Sequence, residues 1–346
     1  MREVHAMFSS SFMKKALYTT LTGLFLAASG CGGGGGGSST LSFTGNTDPA
    51  VITQNNAAPL VASVFLGSSA SGTITVQGIS AVGSSEGVPV GTNLPRVTRY
   101  LAGAVLQIMG SDKGAPISIA SIPIDETEPC GSGSMRLHGT LNDDFTGTVA
   151  FDFDRCRDGD VAIDGAGTLR IDSFDMNRSA IIDGTMTFSL LTFSAPGSDF
   201  SMSGSMRLQS TFATDTETLT SNLVIKDNDS SAMWETQNFV IRTRYDSIFM
   251  PSNYSESWSG RFYDSVLGYV DIATNQPMFF SNIFIEYPDG GGELVLNGAG
   301  DTSIRVSMLS GTQVMLELDL DGDSSYELSA TVLWTVLEAG GSVTFV

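Results

Sequence analysis

Polar and apolar residues alternate along most of the chain after about residue 130, and the alternation repeats a short template. Each copy begins with glycine, continues with serine or threonine, and then places one apolar residue on either side of a variable one. Because the side chains of a strand point alternately to its two faces, this pattern predicts strands with one buried face. The five copies are residues 133–137, 147–151, 167–171, 184–188 and 204–208.

Further strand patterns continue to the C-terminus with irregular spacing. They are residues 222–226, 238–244, 269–272, 282–287, 293–297, 303–309, 313–318 and 326–336. Residue pairs that favour tight turns lie between the first segments: Asn142-Asp143, Asp158-Gly159, Asp164-Gly165 and Asp183-Gly184. The chain is therefore predicted to be mainly β, a long antiparallel meander that forms a sandwich or a curved half-barrel. The irregular spacing disfavours a strict solenoid.

One or two short helices are predicted near the N-terminus. Asn56 has the residue type of a helix N-cap, and the apolar run after it predicts a helix to about Phe65 that ends at Gly67. Residues 68–95 predict a strand followed by a loop, and the apolar residues 100–109 are a candidate second helix. We therefore expect an N-terminal segment at residues 41–128 and an antiparallel β domain at residues 129–346.

The first forty residues have a different character. Lys14 and Lys15 precede a mildly apolar stretch, residues 16–28, that is too short to span a bilayer as a stable helix. This is the layout of a secretory signal. The stretch ends in Ala28-Ser29-Gly30-Cys31, and residues 32–40 are glycine, serine and threonine, as in a flexible tether.

The ending of this stretch resembles the lipobox of bacterial lipoproteins, with Ala28 where that family usually has leucine. The resemblance implies that residues 1–30 are a signal peptide and that Cys31 is acylated, as with palmitate, and begins the mature protein. Residues 31–40 would then link the lipid anchor to the domain. Gly32 follows the cysteine, whereas aspartate there marks inner-membrane retention in well-studied envelopes. The resemblance therefore implies an outer-membrane lipoprotein, periplasmic or surface-exposed.

Both ends of the mature chain also resemble a group of uncharacterised β-rich bacterial lipoproteins. The segments that carry the resemblance are residues 45–53, 55–65, 259–263, 267–271, 292–296 and 319–323. No activity is known for that group. The resemblance therefore supports the assignment as a lipoprotein and implies no catalytic residue.

Charge excludes some partners. The chain has 346 residues and a formal net charge of −20, and residues 1–30 carry +2, which leaves −22 for the remainder. Nucleic acid would be repelled because its binding needs clustered lysine and arginine. Anionic lipid surfaces would also be repelled, so membrane contact is expected through the anchor. The partners that remain are an unknown envelope protein or a small ligand.

The cysteines predict a disulfide. Two cysteines follow Cys31, namely Cys130 and Cys156. Export favours disulfide formation, and a hairpin can bring these two together because one precedes and the other follows a predicted strand pair. Two buried free thiols are the alternative. Cysteine-based metal binding is disfavoured because the chain has no Cys-x-x-Cys motif, and only one histidine follows the signal.

The most specific candidate for ligand chemistry is an acidic segment near the C-terminus. Ca²⁺ takes six to eight oxygen ligands, and alternate carboxylates on a tight loop supply several of them. The segment lacks two EF-hand features, having Ser324 at the glycine position and Ala330 at the final acidic position. The first interpretation is a solvated hairpin turn with Asp321-Gly322 at its tip; the alternative is a strand–loop–strand Ca²⁺ site. The predicted ligands are Asp319, Asp321, Asp323 and Glu327.

Catalytic motifs are not found in the sequence. His138 is the only histidine after the signal, and its place in a predicted strand favours a surface or cross-strand role. The chain has no phosphate-binding loop and no His-Glu-x-x-His motif. No catalytic residue and no enzymatic activity are therefore predicted. A polar outer face is predicted for Asp152, Asp154, Asp158 and Asp160.

Aromatic residues are concentrated between residues 234 and 287. Such a cluster predicts the core of a wide sheet, with a ligand groove as the alternative. Its members are Trp234, Phe239, Tyr245, Phe249, Tyr254, Trp258, Phe262, Tyr263, Tyr269, Phe279, Phe280, Phe284 and Tyr287.

These features together predict a lipid-anchored, non-enzymatic β domain of the cell envelope with a binding or structural role. Two alternatives stay open. A lipid or lipoprotein carrier would have a half-barrel with an open apolar cavity lined by methionine and phenylalanine. A hydrolase of envelope polysaccharide would have two facing carboxylates about 5–10 Å apart in a cleft.

Overall fold

The structure is a computed structural model that describes residues 40–72 and 121–346, apart from residues 177, 179, 196–197, 249–250 and 283–286. Several predictions from the sequence lie outside this part of the chain. They are the signal and anchor with Cys31, the strand and loop after residue 72, the candidate helix at residues 100–109 and most of the predicted strand at residues 282–287.

Fifteen strands of the described chain form one antiparallel sheet, and two short helices accompany it. The first strands are β1 Ile122–Pro129, β2 Ser132–Leu141, β3 Gly147–Asp158, β4 Val161–Asp175, β5 Ala180–Ala195, β6 Ser198–Thr211, β7 Thr216–Asp227 and β8 Met233–Tyr245. The others are β9 Tyr254–Asp264, β10 Gly268–Gln276, β11 Met278–Phe280, β12 Glu293–Asn297, β13 Ser303–Ser310, β14 Gln313–Asp319 and β15 Leu328–Leu333. The helices are α1 Ala57–Gly72 and α2 Trp334–Glu338.

The strands pair in the order of the chain, so the sheet is the long meander that the sequence predicts. The sheet is open, and β1 and β15 are its edge strands. One strand lies off this path: β11 pairs with β9 beyond the end of β10. Pro277 separates β10 from β11, and proline lacks the N–H group that would continue the ladder.

The turn predictions are half correct. Asn142-Asp143 begins the connection between β2 and β3, and Asp158-Gly159 begins the connection between β3 and β4. Asp164-Gly165 lies inside β4 instead, and Asp183-Gly184 lies inside β5. These two predictions are wrong because β4 and β5 are 15 and 16 residues long, so their aspartate–glycine pairs fall within the strands.

Irregular backbone in the long strands forms a line across the sheet, which we call the crease. Two residues of one strand oppose a single residue of the next at residues 154–155 of β3, 189–190 of β5 and 238–239 of β8. These are β-bulges, which bend a strand and increase its twist. Glycines with φ between 120° and 123° lie at or beside the opposing residues: Gly165, Gly204 and Gly260.

These glycines are required by the neighbouring backbone. A Cβ atom on Gly204 would collide with the carbonyl oxygen of Asn222, and one on Gly260 would collide with that of Asn238. Gly165 stands in the same relation to the carbonyl of Leu190. The crease thus depends on glycine for both the left-handed φ and the close approach of adjacent strands.

Side chains satisfy backbone groups that the crease leaves out of the ladder. The N–H of Arg155 donates to Asp164 Oδ1 at 2.8 Å, and the N–H of Asn238 donates to Asn222 Oδ1 at 2.8 Å. The bulges take these two N–H groups out of the ladder, and the side-chain acceptors replace the lost backbone partners. Asp164 therefore accepts a backbone hydrogen bond at the crease, which explains why the pair Asp164-Gly165 lies in a strand and does not form a turn.

The inward side chains of the strands form one apolar core. The largest fully buried side chains include Trp334, Phe151, Phe193, Phe239, Phe262, Met135 and Leu137. Helix α1 packs over β7, β8 and β9 and places Leu60, Val61 and Val64 in this core. The hydroxyl of Ser63 donates to Asp264 at 2.6 Å, which fixes the helix to the end of β9.

The segment before α1, residues 40–56, is the N-terminal strap. It begins on the outer face of the sheet, where the N–H of Leu41 donates to Ser203 Oγ at 3.0 Å and the Ser203 hydroxyl donates to the Leu41 carbonyl at 3.2 Å. It then passes the end of β10, where the N–H of Ala50 donates to the Tyr269 carbonyl at 2.8 Å. The strap therefore leads the chain from the outer face to the helix on the inner face.

The helix starts where the sequence predicts but extends further. The carbonyl of Asn56 accepts the N–H of Leu60 at 2.9 Å, which is the first helical bond. The Asn56 side chain does not cap the helix, because its Oδ1 accepts the N–H of Thr53 at 2.8 Å. Helix α1 continues through Gly67, where a Cβ atom would overlap the ring of Phe262. Gly67 thus allows close packing and does not end the helix.

The strand predicted at residues 326–336 is wrong at its C-terminal end. Strand β15 stops at Leu333, and helix α2 begins at Trp334. Positions three apart on a helix share a face, so this change of conformation brings both Trp334 and Leu337 into the core. The indole of Trp334 packs against Tyr287 and Phe65, with ring centroids 5.1 and 4.8 Å away.

The structure pairs Cys130 with Cys156 as a disulfide, as the sequence predicts. Cys130 lies in the connection between β1 and β2, and Cys156 follows the bulge of β3. Their Cα atoms are 5.4 Å apart across 26 positions of sequence. The bond therefore ties the edge hairpin to the third strand beside the crease.

Candidate functional site

The predicted Ca²⁺ ligands lie in the connection between β14 and β15. Asp319 is the last residue of β14, and Glu327 directly precedes β15. The flanking elements are strands, so the loop is unlike the helix–loop–helix of an EF-hand. The backbone reverses at Gly322 and Ser324, which have φ values of 77° and 71°. A side chain at Gly322 would crowd the Gly300 carbonyl, so glycine is required there.

Backbone N–H groups orient the four carboxylates. The buried Asp319 accepts from the N–H groups of Gly322 and Ser324, at 2.7 and 3.0 Å. The other acids, each of which accepts one N–H bond within the loop, are Asp321, Asp323 and Glu327. One oxygen from each of the four lies within 4.8 Å of the others. The loop thus brings all four predicted ligand residues together.

Four carboxylates at this spacing repel one another unless a cation lies among them. In the described part of the chain, no arginine or lysine forms an ion pair with any of the four. Arg305 on the neighbouring β13 pairs with Glu317 instead, at 2.6 Å. Hard oxygen ligands suit Ca²⁺, and the remaining positions of its shell could be filled by loop carbonyls and water. The geometry is compatible with the predicted Ca²⁺ site, which stays a prediction.

Glu256 is a carboxyl group inside the core that the sequence analysis did not single out. Its side chain lies on β9 between the inward-facing Tyr254 and Trp258, and Glu256 is 3% exposed. The Nε1–H of Trp258 donates to it at 3.1 Å, and the hydroxyl of Thr243 donates at 3.4 Å. Burial raises the pKa of Glu256 to about 7, although both donors act against the shift.

The sequence carries a signal for the burial of Glu256 that differs from apolar alternation. Large residues alternate with serine in Tyr254-Ser255-Glu256-Ser257-Trp258, which is the period of a strand. The carboxylate in the middle of the inward set interrupts the apolar pattern, so apolar alternation alone does not indicate this strand. A search for alternation by side-chain size, instead of apolarity, would have placed Glu256 inside.

The remaining predicted residues do not form a catalytic arrangement. Nδ1 of His138 lies 3.3 Å from a carboxylate oxygen of Asp152 on the next strand, and both side chains are about half exposed. In the described part of the chain, no serine or threonine hydroxyl bonds to His138. Asp154 pairs with Arg155 on the surface, and Asp160 is exposed in a turn. The side chain of Asp158 lies outside the described set.

The aromatic cluster mainly fills the core, as its first interpretation predicts. Its buried members are Phe239, Tyr245, Tyr254, Trp258, Phe262, Tyr263 and Phe280. The rings of Tyr254 and Phe280 stack with centroids 4.5 Å apart. Phe279 is 44% exposed. Phe249 and Phe284 lie outside the described residues.

A cleft of about 380 Å³ opens beside the crease. Thr40 and Leu41 of the strap form part of its wall, and residues of β5 to β8 form the rest. Serine, threonine and amide side chains are prominent in the lining. Of the described residues that line the cleft, Glu235 alone carries a carboxylate. The cleft therefore lacks the facing pair of acids that glycoside cleavage requires.

Comparisons add no assignment to these observations. The chain matches no family model, and no curated protein or solved structure is significantly similar to it. The described residues include no helix with the length and apolar composition needed to cross a bilayer. The resemblance to uncharacterised lipoproteins and the acylation of Cys31 therefore stay predictions.

Calcium binding is tested by the double substitution Asp321→Asn with Asp323→Asn. We expect millimolar Ca²⁺ to release heat in calorimetry and to raise the Tm of the unmodified protein by a few degrees, because a ligand that binds the folded state stabilises it. The double variant should lose both effects. Asp160→Asn with Asp229→Asn, two exposed acids in other loops, is the matched control and should retain both. Absence of heat and of a thermal shift in the unmodified protein would remove the site.

The pH dependence of stability tests the buried carboxyl. Between the ordinary pKa of glutamate and about 7, folded Glu256 keeps a proton that the unfolded chain has released. Its contribution to the free energy of unfolding therefore falls as pH rises through this window, by up to about 3 kcal/mol. Glu256→Gln should raise stability against urea relative to the unmodified protein at pH 8 more than at pH 4.5.

The exposed Glu128 provides a control for that experiment, since it lies on the edge strand β1. Glu128→Gln should change the urea midpoint by the same small amount at both pH values. If Glu256→Gln gives the same stability difference at pH 4.5 and pH 8, then Glu256 does not titrate inside the fold.

Proposed function

We propose that this protein is a lipid-anchored, non-enzymatic β domain of the bacterial cell envelope, with a binding or structural role. Acyl chains on Cys31 would hold the domain at the outer membrane, on its periplasmic or exposed side. Its partners would be an envelope protein or a small ligand. The acidic loop with Asp319 and Asp323 would take Ca²⁺.

The observation that carries this proposal is the position of Leu41, which directly follows the glycine, serine and threonine run. The strap is already fixed to the sheet at Leu41, through two hydrogen bonds to Ser203. The preceding residues, 32–40, are the glycine, serine and threonine tether of the sequence. A run of nine such residues between a lipobox cysteine and a residue bonded to the sheet suits a domain held near a bilayer.

The two alternatives have less support from the described residues. A lipid carrier needs an accessible apolar cavity, whereas the inward methionines and phenylalanines are buried; Met135, Met202 and Phe151 are each 1% exposed or less. A polysaccharide hydrolase needs paired acids, and the cleft beside the crease offers Glu235 alone. These observations favour binding at the surface of the domain over transport in a cavity or catalysis in a cleft.

The anchor is tested by Cys31→Ser. In cells supplied with labelled palmitate, the unmodified protein should carry the label and sediment with membranes, whereas Cys31→Ser should lose the label and become soluble. Ser38→Ala, within the tether, is the matched control and should behave as the unmodified protein. Membrane retention of Cys31→Ser, or a native amino terminus other than Cys31 in mass spectrometry, contradicts the proposal.

A further inference from the structure

One part of the outer face has a charge opposite to that of the whole molecule. It consists of the outward residues of β6 after Gly204 and of the outward residues of β7, β8 and β9 that lie on the same side of the crease. We name it the arginine face. Its members are Ser205, Arg207, Gln209, Thr211, Thr216, Thr218, Thr220, Val240, Arg242, Arg244, Ser255, Ser257 and Ser259. These described residues include three arginines and no carboxylate, although the chain after residue 30 carries −22.

Two of the three arginines have no acidic partner. Arg207 is paired with Asp183 of β5 at 2.6 Å, as most outer-face arginines of the described chain are paired with carboxylates. Arg242 and Arg244 are exposed and form no ion pair with any described residue. The nearest exposed acid along the chain, Asp246, is bound instead by the N–H and hydroxyl groups of Ser252.

Two acids in the same part of these strands, Glu217 and Glu256, point away from this face. Glu256 of β9 is buried in the core, and Glu217 of β7 accepts the hydroxyl of the inward Tyr245 at 2.8 Å. The neighbours of Arg242 across the ladder are Thr218 and Ser257. Two guanidinium groups among hydroxyl donors form a surface that suits phosphate groups, which guanidinium binds with two parallel hydrogen bonds.

The tether joins the domain on this same outer face. Ser203, which holds Leu41, is six residues from Gln209 on β6, or about 20 Å along the strand. The nine residues 32–40 reach at most about 30 Å. A membrane that holds an anchor at Cys31 is therefore within reach of the arginine face, so tether length and local charge favour the same orientation.

We propose that the arginine face rests on the anionic phosphate headgroups of the membrane that holds the anchor. This inference rests on the proposed function. It also revises the expectation that the domain touches the membrane through its anchor alone. Repulsion from the other acids is screened beyond about 8 Å at physiological salt, whereas Arg242 and Arg244 act at contact distance.

The test uses the full lipidated chain, purified from membranes and reconstituted into vesicles with 30 mol% phosphatidylglycerol in phosphatidylcholine. A bimane fluorophore is attached at Ser259→Cys on the arginine face or at Thr331→Cys on the edge strand β15. Acylation of Cys31 and the disulfide leave the introduced thiol free for labelling. Lipids with a nitroxide headgroup quench a fluorophore that lies against the bilayer surface.

We expect strong quenching at position 259 and weak quenching at position 331. Arg242→Gln with Arg244→Gln should lower the ratio of docked to undocked protein about 30-fold at low salt, as expected for two arginines at an anionic surface. Neutral phosphatidylcholine vesicles, or 1 M salt, should reduce quenching to the same level. Arg155→Gln with Arg157→Gln, an equal loss of charge on β3, is the control and should leave the quenching unchanged.

Failure of this inference is distinguishable from failure of the anchor. Protein that does not float with the vesicles overturns the anchor, and the inference with it. Protein that floats, but shows equal quenching at positions 259 and 331 or no dependence on phosphatidylglycerol, overturns the inference alone. A change in bimane emission with polygalacturonate but not with vesicles would assign the face to a polysaccharide and overturn the membrane contact.

Discussion

The crease is the constraint on which the other features of this structure depend. Strands of 12 to 16 residues, such as β3, β4 and β5, are about 40–50 Å long, and their inward side chains share one core. Bulges interrupt the ladders of these strands at the crease, and glycines such as Gly204 allow adjacent strands to approach closely there. The polar groups freed by the bulges then need partners, which Asp164 and Asn222 supply.

The two faces of the sheet have different roles. The inner face is apolar and receives α1, while the outer face carries hydroxyl groups, arginines and carboxylates. The strap connects the two faces, and Leu41 holds its N-terminal end to the outer face beside the crease. Under the proposed anchor at Cys31, the attachment of Leu41 to the outer face would determine which surface a short tether presents to a bilayer. Glu256 departs from this division, and its pKa of about 7 reflects its burial.

The sequence predicted much of this fold because the outer and inner faces differ in composition. Alternation identified the five template strands, and cysteine spacing identified the disulfide. The acidic loop was found because four acids close in sequence stay close in a hairpin. The turn and helix-end predictions fail where a residue pair or glycine that is typical of a chain reversal lies inside a strand or helix instead.

The failures follow from particular residues. Asp164-Gly165 has the composition of a turn but supports a bulge, and Gly67 has the composition of a helix end but allows contact with Phe262. The pairing of Arg207 with Asp183, and the lack of such a partner for Arg242, depend on register across several strands. Register is a property of the assembled sheet and cannot be obtained from local alternation.

The most direct test of the crease compares Gly204→Ala with Gly159→Ala in urea unfolding. Both glycines have positive φ, at 122° and 58°, but a Cβ atom on Gly159 meets nothing within 4 Å. The account predicts a loss of about 2–4 kcal/mol for Gly204→Ala, from strain and collision with Asn222, against about 1 kcal/mol for Gly159→Ala. Equal losses for the two substitutions would contradict the claim that the crease determines the shape of the sheet.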